Sequence, residues 1–258
     1  MTIGSRLGLA GAFFLGLVLV GGLSAGAARA EEAPQLRIAF VGDSMADGLW
    51  GAMFRRLGKD KCLTEKIKLI RKAKNGTGLA RLDQFDWVAE VGAMARDGAA
   101  DLFVGSFGVN DRQAIIDASR VRTEFDSPAF DSRYQSFAEE LIRNAVSGGA
   151  SILVVGLPVM LDPAANADAK AKNALFAAAV AAVGSPAAAY VKPWSSQPGD
   201  DEYKPYIANA GNQLVQFRAA DGVHFTQFGY DRLMDYFYPS IMASLKQRRR
   251  DILSECAK

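Results

Sequence analysis

Short, continuously apolar runs alternate with longer helical stretches along this 258-residue chain, and that alternation leaves few folds open. Leu36 to Val41, Ile67 to Arg71, Asp101 to Phe107, Ser151 to Leu157 and Ala188 to Val191 read as strands. Ile152-Leu153-Val154-Val155 has no polar face, as a strand covered on both sides requires. Between the strands, apolar stripes at helical spacing run over Gly48 to Leu57 and Phe85 to Arg96. Two more run over Phe137 to Val146, stopped by Gly148-Gly149, and Ala169 to Val183, stopped by Gly184-Ser185-Pro186. A last helix runs from about Gln227 toward Arg250. The pattern predicts an α/β fold with a parallel sheet and helices on both faces. Two segments break the rhythm. Arg112 to Arg133 reads as a long polar connection after the third strand, and Tyr203 to Arg218 as a hairpin turning at Ala208 to Asn212. A connection as long as the first is either a lid or decoration, and the sequence leaves both open.

Half of the residues are hydrophobic and the charges nearly cancel, at +2. That composition excludes a disordered chain and lacks the basic excess of a nucleic-acid binder. The N-terminus is a separate element. Arg6 is followed by an apolar run from Leu7 to Leu23 and then by Ala28-Arg29-Ala30, a small-x-small cleavage pattern. This predicts a signal peptide over 1–30, a single domain over 31–258 and a periplasmic or secreted location. The alternative is an uncleaved anchor, since the apolar run approaches the roughly 20 residues that span a bilayer; membrane association is expected only in that case. Cys62 and Cys256 are the only cysteines, and an exported chain permits them to pair, but sequence does not place them together. Two cysteines and one histidine, far apart, make no zinc ligand set. The basic run Lys246 to Arg250 reads as a solvated helix end.

The single histidine, His224, lies in Asp221-Gly222-Val223-His224. No other side chain here has an ordinary pKa near neutrality. Asp221, three residues earlier across a turn, is placed to orient the ring; the pair also reads as an Asp-Gly turn before a Thr226-capped helix. The first strand ends in Gly42-Asp43-Ser44, so Ser44 stands at the carboxyl end of a strand beside a helix start, where open α/β sheets place their ligands. Ser44 equally fits an N-cap, since Ser44-Met45-Ala46-Asp47 is a loose capping box. The third strand ends in Gly108-Val109-Asn110-Asp111, and an Asn110 amide there either donates to an oxyanion or caps a turn.

Taken together, Gly42-Asp43-Ser44, Gly108-Val109-Asn110-Asp111 and Asp221-Gly222-Val223-His224 resemble the first, third and fifth sequence blocks of the SGNH (GDSL) hydrolase superfamily, in an exported, bacterial-type form. The resemblance spans nearly the whole mature chain. It implies a three-layer α/β/α sandwich with a central, mostly parallel five-stranded sheet, flavodoxin-like in arrangement. It also implies Ser44 as nucleophile, His224 as general base and then acid, and Asp221 as its orienting partner. The Ser44 N–H and the Asn110 side chain would form the oxyanion hole. A glycine N–H after the second strand would complete it, and in Lys74-Asn75-Gly76-Thr77-Gly78-Leu79 that glycine is Gly78, with Gly76 the alternative. Met45 stands where many relatives carry leucine.

The resemblance therefore implies a serine esterase acting through an acyl-enzyme on a small-molecule or glycan acyl ester, an O-acetyl ester among the candidates, without a cofactor. An O-acyltransferase of envelope carbohydrate with the same residues is the alternative. A non-catalytic carbohydrate-binding relative is a third reading, and retention of all four polar residues argues against it. Trp50, Met160 and Trp194 are candidates for lining the pocket or for the core.

Overall fold

The computed structural model describes residues 35–192 and 202–248 together with Leu253 and Cys256. The predicted signal segment and Trp194 lie outside the described residues, as do the side chains of the basic run 246–250.

From the N-terminal end the chain forms β1 (Leu36–Gly42), α1 (Ser44–Leu57), α2 (Lys61–Lys66), β2 (Ile67–Arg71), α3 (Trp87–Arg96) and β3 (Leu102–Ser106). A small hairpin, β4 (Ile115–Ile116) and β5 (Arg122–Thr123), precedes α4 (Pro128–Ser147) and β6 (Ser151–Val155). Then follow α5 (Pro163–Val183), β7 (Ala188–Val191), the hairpin β8 (Tyr206–Ala208) and β9 (Leu214–Gln216), and α6 (Gln227–Arg248).

β1, β2, β3, β6 and β7 form one sheet in the order β2-β1-β3-β6-β7, with every neighbouring pair parallel. Alternate residues face opposite sides, so each strand feeds two cores. Ile38, Phe40, Val104, Leu153 and Val155 pack with α1 and α6 through Leu49, Met53, Leu233, Phe237 and Ile241. Ala39, Val41, Phe103, Ile152 and Val154 pack with α3, α4 and α5 through Trp87, Val91, Tyr134, Ile142 and Phe176. The five predicted strands and the α/β/α sandwich are thus present, and both sheet faces are apolar because both are covered.

In this order the chain reverses direction across the sheet between β1 and β3. The carboxyl ends of those two strands open the crevice where doubly wound sheets bind ligands.

Three expectations need correction. The segment Arg112 to Arg133 is not one loop: it holds the β4–β5 hairpin, and its last residues are the first turns of α4. Pro128 occupies the first helical position, where its missing N–H costs nothing, and Phe130, Tyr134, Ala138, Leu141 and Ile142 carry the buried stripe well before Phe137. The hairpin is fastened to the loop after β2, with the Ile116 N–H donating to Ala80 O at 2.7 Å. α1 begins at Ser44 rather than Gly48, and its N-cap is Asp43, whose Oδ1 accepts the Met45 N–H at 2.9 Å. α5 begins at Pro163 rather than Ala169, capped by Asp162.

Cys62 on α2 and Cys256 near the C-terminus form a disulfide with a Cα–Cα distance of 5.6 Å, which ties the chain end to the start of the fold.

Candidate active site

Gly42 ends β1 with φ +123°, and a Cβ there would fall 1.8 Å from Ser106 O at the end of β3. Only glycine allows β1 to leave the sheet this close to its neighbour. The next residue is locked by the Asp43 N–H donating to Ser106 O at 3.1 Å. Asp43 is fully buried. One carboxylate oxygen caps α1 through Met45, and the other accepts from the Val109 N–H at 3.4 Å. Burial drives its carboxyl pKa up to about 8, against the hydrogen bonds from Met45, Val109 and Gly108. Asp43 therefore stitches the start of α1 to the Gly108–Asp111 turn. The capping job lies with Asp43, so the Ser44 side chain is free for another partner.

That partner is the imidazole. Ser44 Oγ lies 2.6 Å from His224 Nε2, across 180 residues of sequence. His224 Nδ1 lies 2.6 Å from Asp221 Oδ2, and Asp221 Oδ1 accepts the N–H groups of Val223 and His224, each at 2.9 Å. Burial would raise the Asp221 carboxyl, but the hydrogen bonds from the His224 ring and from the two amides outweigh it and pull the pKa down to about 2. An ionised Asp221 holds the proton on Nδ1 and leaves the Nε2 lone pair facing Ser44. The turn before α6 also carries Thr226, whose Oγ1 accepts the Gly229 N–H at 3.2 Å. The Asp-Gly turn and the orienting pair expected from the sequence occur in the same residues.

Asn110 lies in the turn beyond the end of β3, the strand that neighbours β1. Its Nδ2 donates to Thr77 O at 2.9 Å, which joins the third-block turn to the loop after β2. That loop is held from four sides. Thr77 Oγ1 donates to Lys74 O and accepts from Trp87 Nε1, and the Lys74 N–H donates to Gly42 O at 2.8 Å. The fourth hold is Asp111, whose carboxylate accepts the N–H groups of Leu79 at 2.9 Å and Ala80 at 3.1 Å and the Tyr134 hydroxyl at 2.8 Å. Burial raises the Asp111 pKa against these bonds. Gly78 is buried against the Asp111 carboxylate, whereas Gly76 is exposed. Among the described residues no acceptor takes the amide hydrogens of Ser44 or Gly78. Ser44, at the start of α1, and Gly78, on the loop after β2, are joined through Asp43, the Gly108–Asp111 turn and Thr77.

Of the aromatic and methionine candidates, Trp50 stacks on Phe54 along α1 with the Arg71 guanidinium over its ring. Met160 is buried in a small cluster with Leu157 and Ala169, against which Val109 and Val223 pack. Those two valines directly precede Asn110 and His224, so the cluster backs the site. The buried carboxylates of Asp43 and Asp111 and the buried guanidinium of Arg218 had no place in the sequence reading. All three act mainly on main-chain groups, which a sequence does not display.

A serine, histidine and aspartate joined by two short hydrogen bonds can remove a proton from Oγ, and the uncommitted N–H groups of Ser44 and Gly78 can donate to an anion. Sheet order and strand ends define the class: an α/β/α domain with the SGNH hydrolase fold. Solved structures of esterases share this architecture. They include Axe2, an acetylxylan esterase from Geobacillus stearothermophilus, with 17% identity and a TM-score of 0.55 over 81% of this chain and 96% of that one. An aryl esterase of M. smegmatis, in an inhibitor-bound form, gives 13% and 0.53 over 81% and 99%. A carbohydrate esterase family 3 from Talaromyces cellulolyticus gives 10% and 0.51 over 83% and 99%. At these identities the likeness is one of fold. No curated protein matches the sequence. By its own sequence the chain belongs to the DUF459 family, described as a protein of unknown function, whose profile matches residues 37–240.

Proposed function

We propose that the protein is an exported serine esterase that hydrolyses acyl esters, O-acetyl esters of carbohydrate foremost, through an acyl-enzyme on Ser44. The observation that carries this reading is the continuous chain from Ser44 Oγ through His224 to Asp221, each link 2.6 Å long.

In the proposed reaction Nε2 takes the Oγ proton as Oγ attacks the ester carbonyl. The negative charge on the carbonyl oxygen is met by the N–H groups of Ser44 and Gly78 and by Asn110 Nδ2, as pre-set donors. Collapse breaks the ester bond, and the imidazolium returns its proton to the departing alkoxide. Water then attacks the acyl-enzyme, giving a proton to Nε2, and the second collapse releases the carboxylic acid and restores Ser44. Asp221, ionised throughout, holds the imidazolium in place at each stage.

Hydrolysis rather than transfer is favoured by access. The side chains of His224 and Asp221 keep 33% and 49% of their surface open to solvent, so water reaches the base. Export is supported by the leader-like residues 1–30 and by the Cys62–Cys256 disulfide, which persists in oxidising compartments. An acetyl–carbohydrate substrate is supported by the fold shared with an acetylxylan esterase and a carbohydrate esterase.

The test is acetate release from an acetylated oligosaccharide by the mature protein, with and without a deacetylated glycan acceptor. Free acetate alone at saturating acceptor is the expected result. Acetyl moved onto the acceptor would replace the hydrolase reading with the transferase.

A further inference from the structure

Arg218 is buried, with 3% of its surface exposed, directly behind the turn that carries His224. The turn runs from Arg218 to Phe225, two residues that pair across it, and the Ala219 N–H donates to His224 O at 2.9 Å. Its amides at Val223 and His224 turn to Asp221 on one side. Its carbonyls turn inward, to the guanidinium. Nη2 donates to Val223 O at 2.8 Å and to Gly222 O at 3.3 Å, and Nε donates to His224 O at 3.3 Å. Nη1 leaves the turn and donates to Val159 O, at 2.6 Å, on the connection between β6 and α5. The rings of Phe225 and Tyr203 cover its faces at 4.2 and 4.7 Å.

Four main-chain carbonyls thus converge on one planar cation. Burial lowers the Arg218 pKa to about 10, so it is charged at neutral pH. A lysine carries the same charge on one nitrogen and lacks the flat fork that reaches carbonyls in two segments.

We propose that Arg218 is a positioning residue for His224, its guanidinium fixing the Gly222-Val223-His224 carbonyls and anchoring them to Val159 so that the imidazole stays aligned with Ser44. The role rests on the reading of Ser44 and His224 as the reacting pair. Displacing a catalytic group by about 1 Å costs on the order of 10²-fold in rate. The Arg218 side chain is buried behind the turn and presents no open surface to a substrate, so the loss is expected on kcat.

The experiment compares wild type, Arg218→Lys, Arg218→Ala and Ser44→Ala, each confirmed folded by near-UV circular dichroism. The readouts are p-nitrophenyl acetate hydrolysis and the rate of fluorophosphonate labelling. Both Arg218 variants should lose roughly 10- to 100-fold in kcat and in labelling rate with KM changed less than about threefold. Millimolar guanidinium should restore part of the rate in Arg218→Ala and none in Ser44→Ala. Arg218→Lys that is folded and labels at the wild-type rate would overturn the proposal. So would losses that only track the unfolded fraction and ignore guanidinium. Persistent labelling of Ser44→Ala would instead remove the nucleophile on which the role rests, and the two failures are distinguishable.

Discussion

The Asp111 carboxylate occupies the space that a side chain on Gly78 would need: a Cβ there would fall 2.0 Å from Asp111 Oδ1. Asp111 also holds the two amides that follow Gly78, so carboxylate and glycine fix each other. Gly78→Ala should push Asp111 aside, misplace the Gly78 N–H and lower kcat by roughly 10²-fold, near the 10²–10³ expected for Asn110→Ala as loss of one oxyanion donor. Gly76 decides the alternative. A Cβ there meets nothing within 4 Å, and its φ of +76° adds only backbone strain. Gly76→Ala should cost about 1–2 kcal/mol of stability and leave kcat near wild type. The reverse pattern in steady-state kinetics would transfer the donor role to Gly76.

The pH profile follows from Asp221. With its pKa near 2, it stays ionised across the working range, so the acid limb of kcat/KM reports one proton. Protonated His224 has no lone pair for Oγ, and the rate should fall tenfold per pH unit at the foot of that limb. A rate independent of pH from 5 to 8 would contradict an imidazole base.

Asp43 makes a different pH prediction, about stability. In the folded chain it holds its proton up to about pH 8, whereas the unfolded chain releases it near 3.8. Between those values the folded state binds more protons, so the contribution of Asp43 is complete below about 4 and is lost as pH rises through about 8. Urea midpoints should decline over that window, and Asp43→Asn should flatten the decline. An equal decline in wild type and variant would show that Asp43 is ionised when folded.

The disulfide closes a span of 194 residues. Removing it by Cys62→Ser or by reductant should lower the unfolding free energy by about 2–4 kcal/mol, mainly through the unfolded chain. Ser44, Asp221 and His224 stand on other elements, so activity at 25 °C should be unchanged. An unaltered denaturation midpoint would contradict this.

The sheet was legible because its strands are covered on both faces and therefore continuously apolar. Ile67–Arg71 and Ala188–Val191 occur with the predicted bounds. Ser44, Asn110, Asp221 and His224 were legible because each follows a strand or precedes a helix, and a parallel sheet gathers such points at one edge. The start of α4 was hidden because its first two turns, from Pro128, carry charges among the buried positions. The supports of the site were hidden for another reason. Asp43, Asp111 and Arg218 bind backbone N–H and C=O groups up to 66 residues away, and main-chain partners leave no mark on side-chain patterns. The Cys62–Cys256 pair likewise depends on where the fold carries the chain end.

If Ser44 is the nucleophile, covalent labelling will find it. The mature protein is treated with a fluorophosphonate, and the adduct is mapped by peptide mass spectrometry, beside Ser44→Ala and His224→Ala. One adduct is expected, on Ser44, absent from Ser44→Ala and formed orders of magnitude more slowly in His224→Ala. An adduct that persists in Ser44→Ala, or that maps to another residue in the wild type, would contradict it.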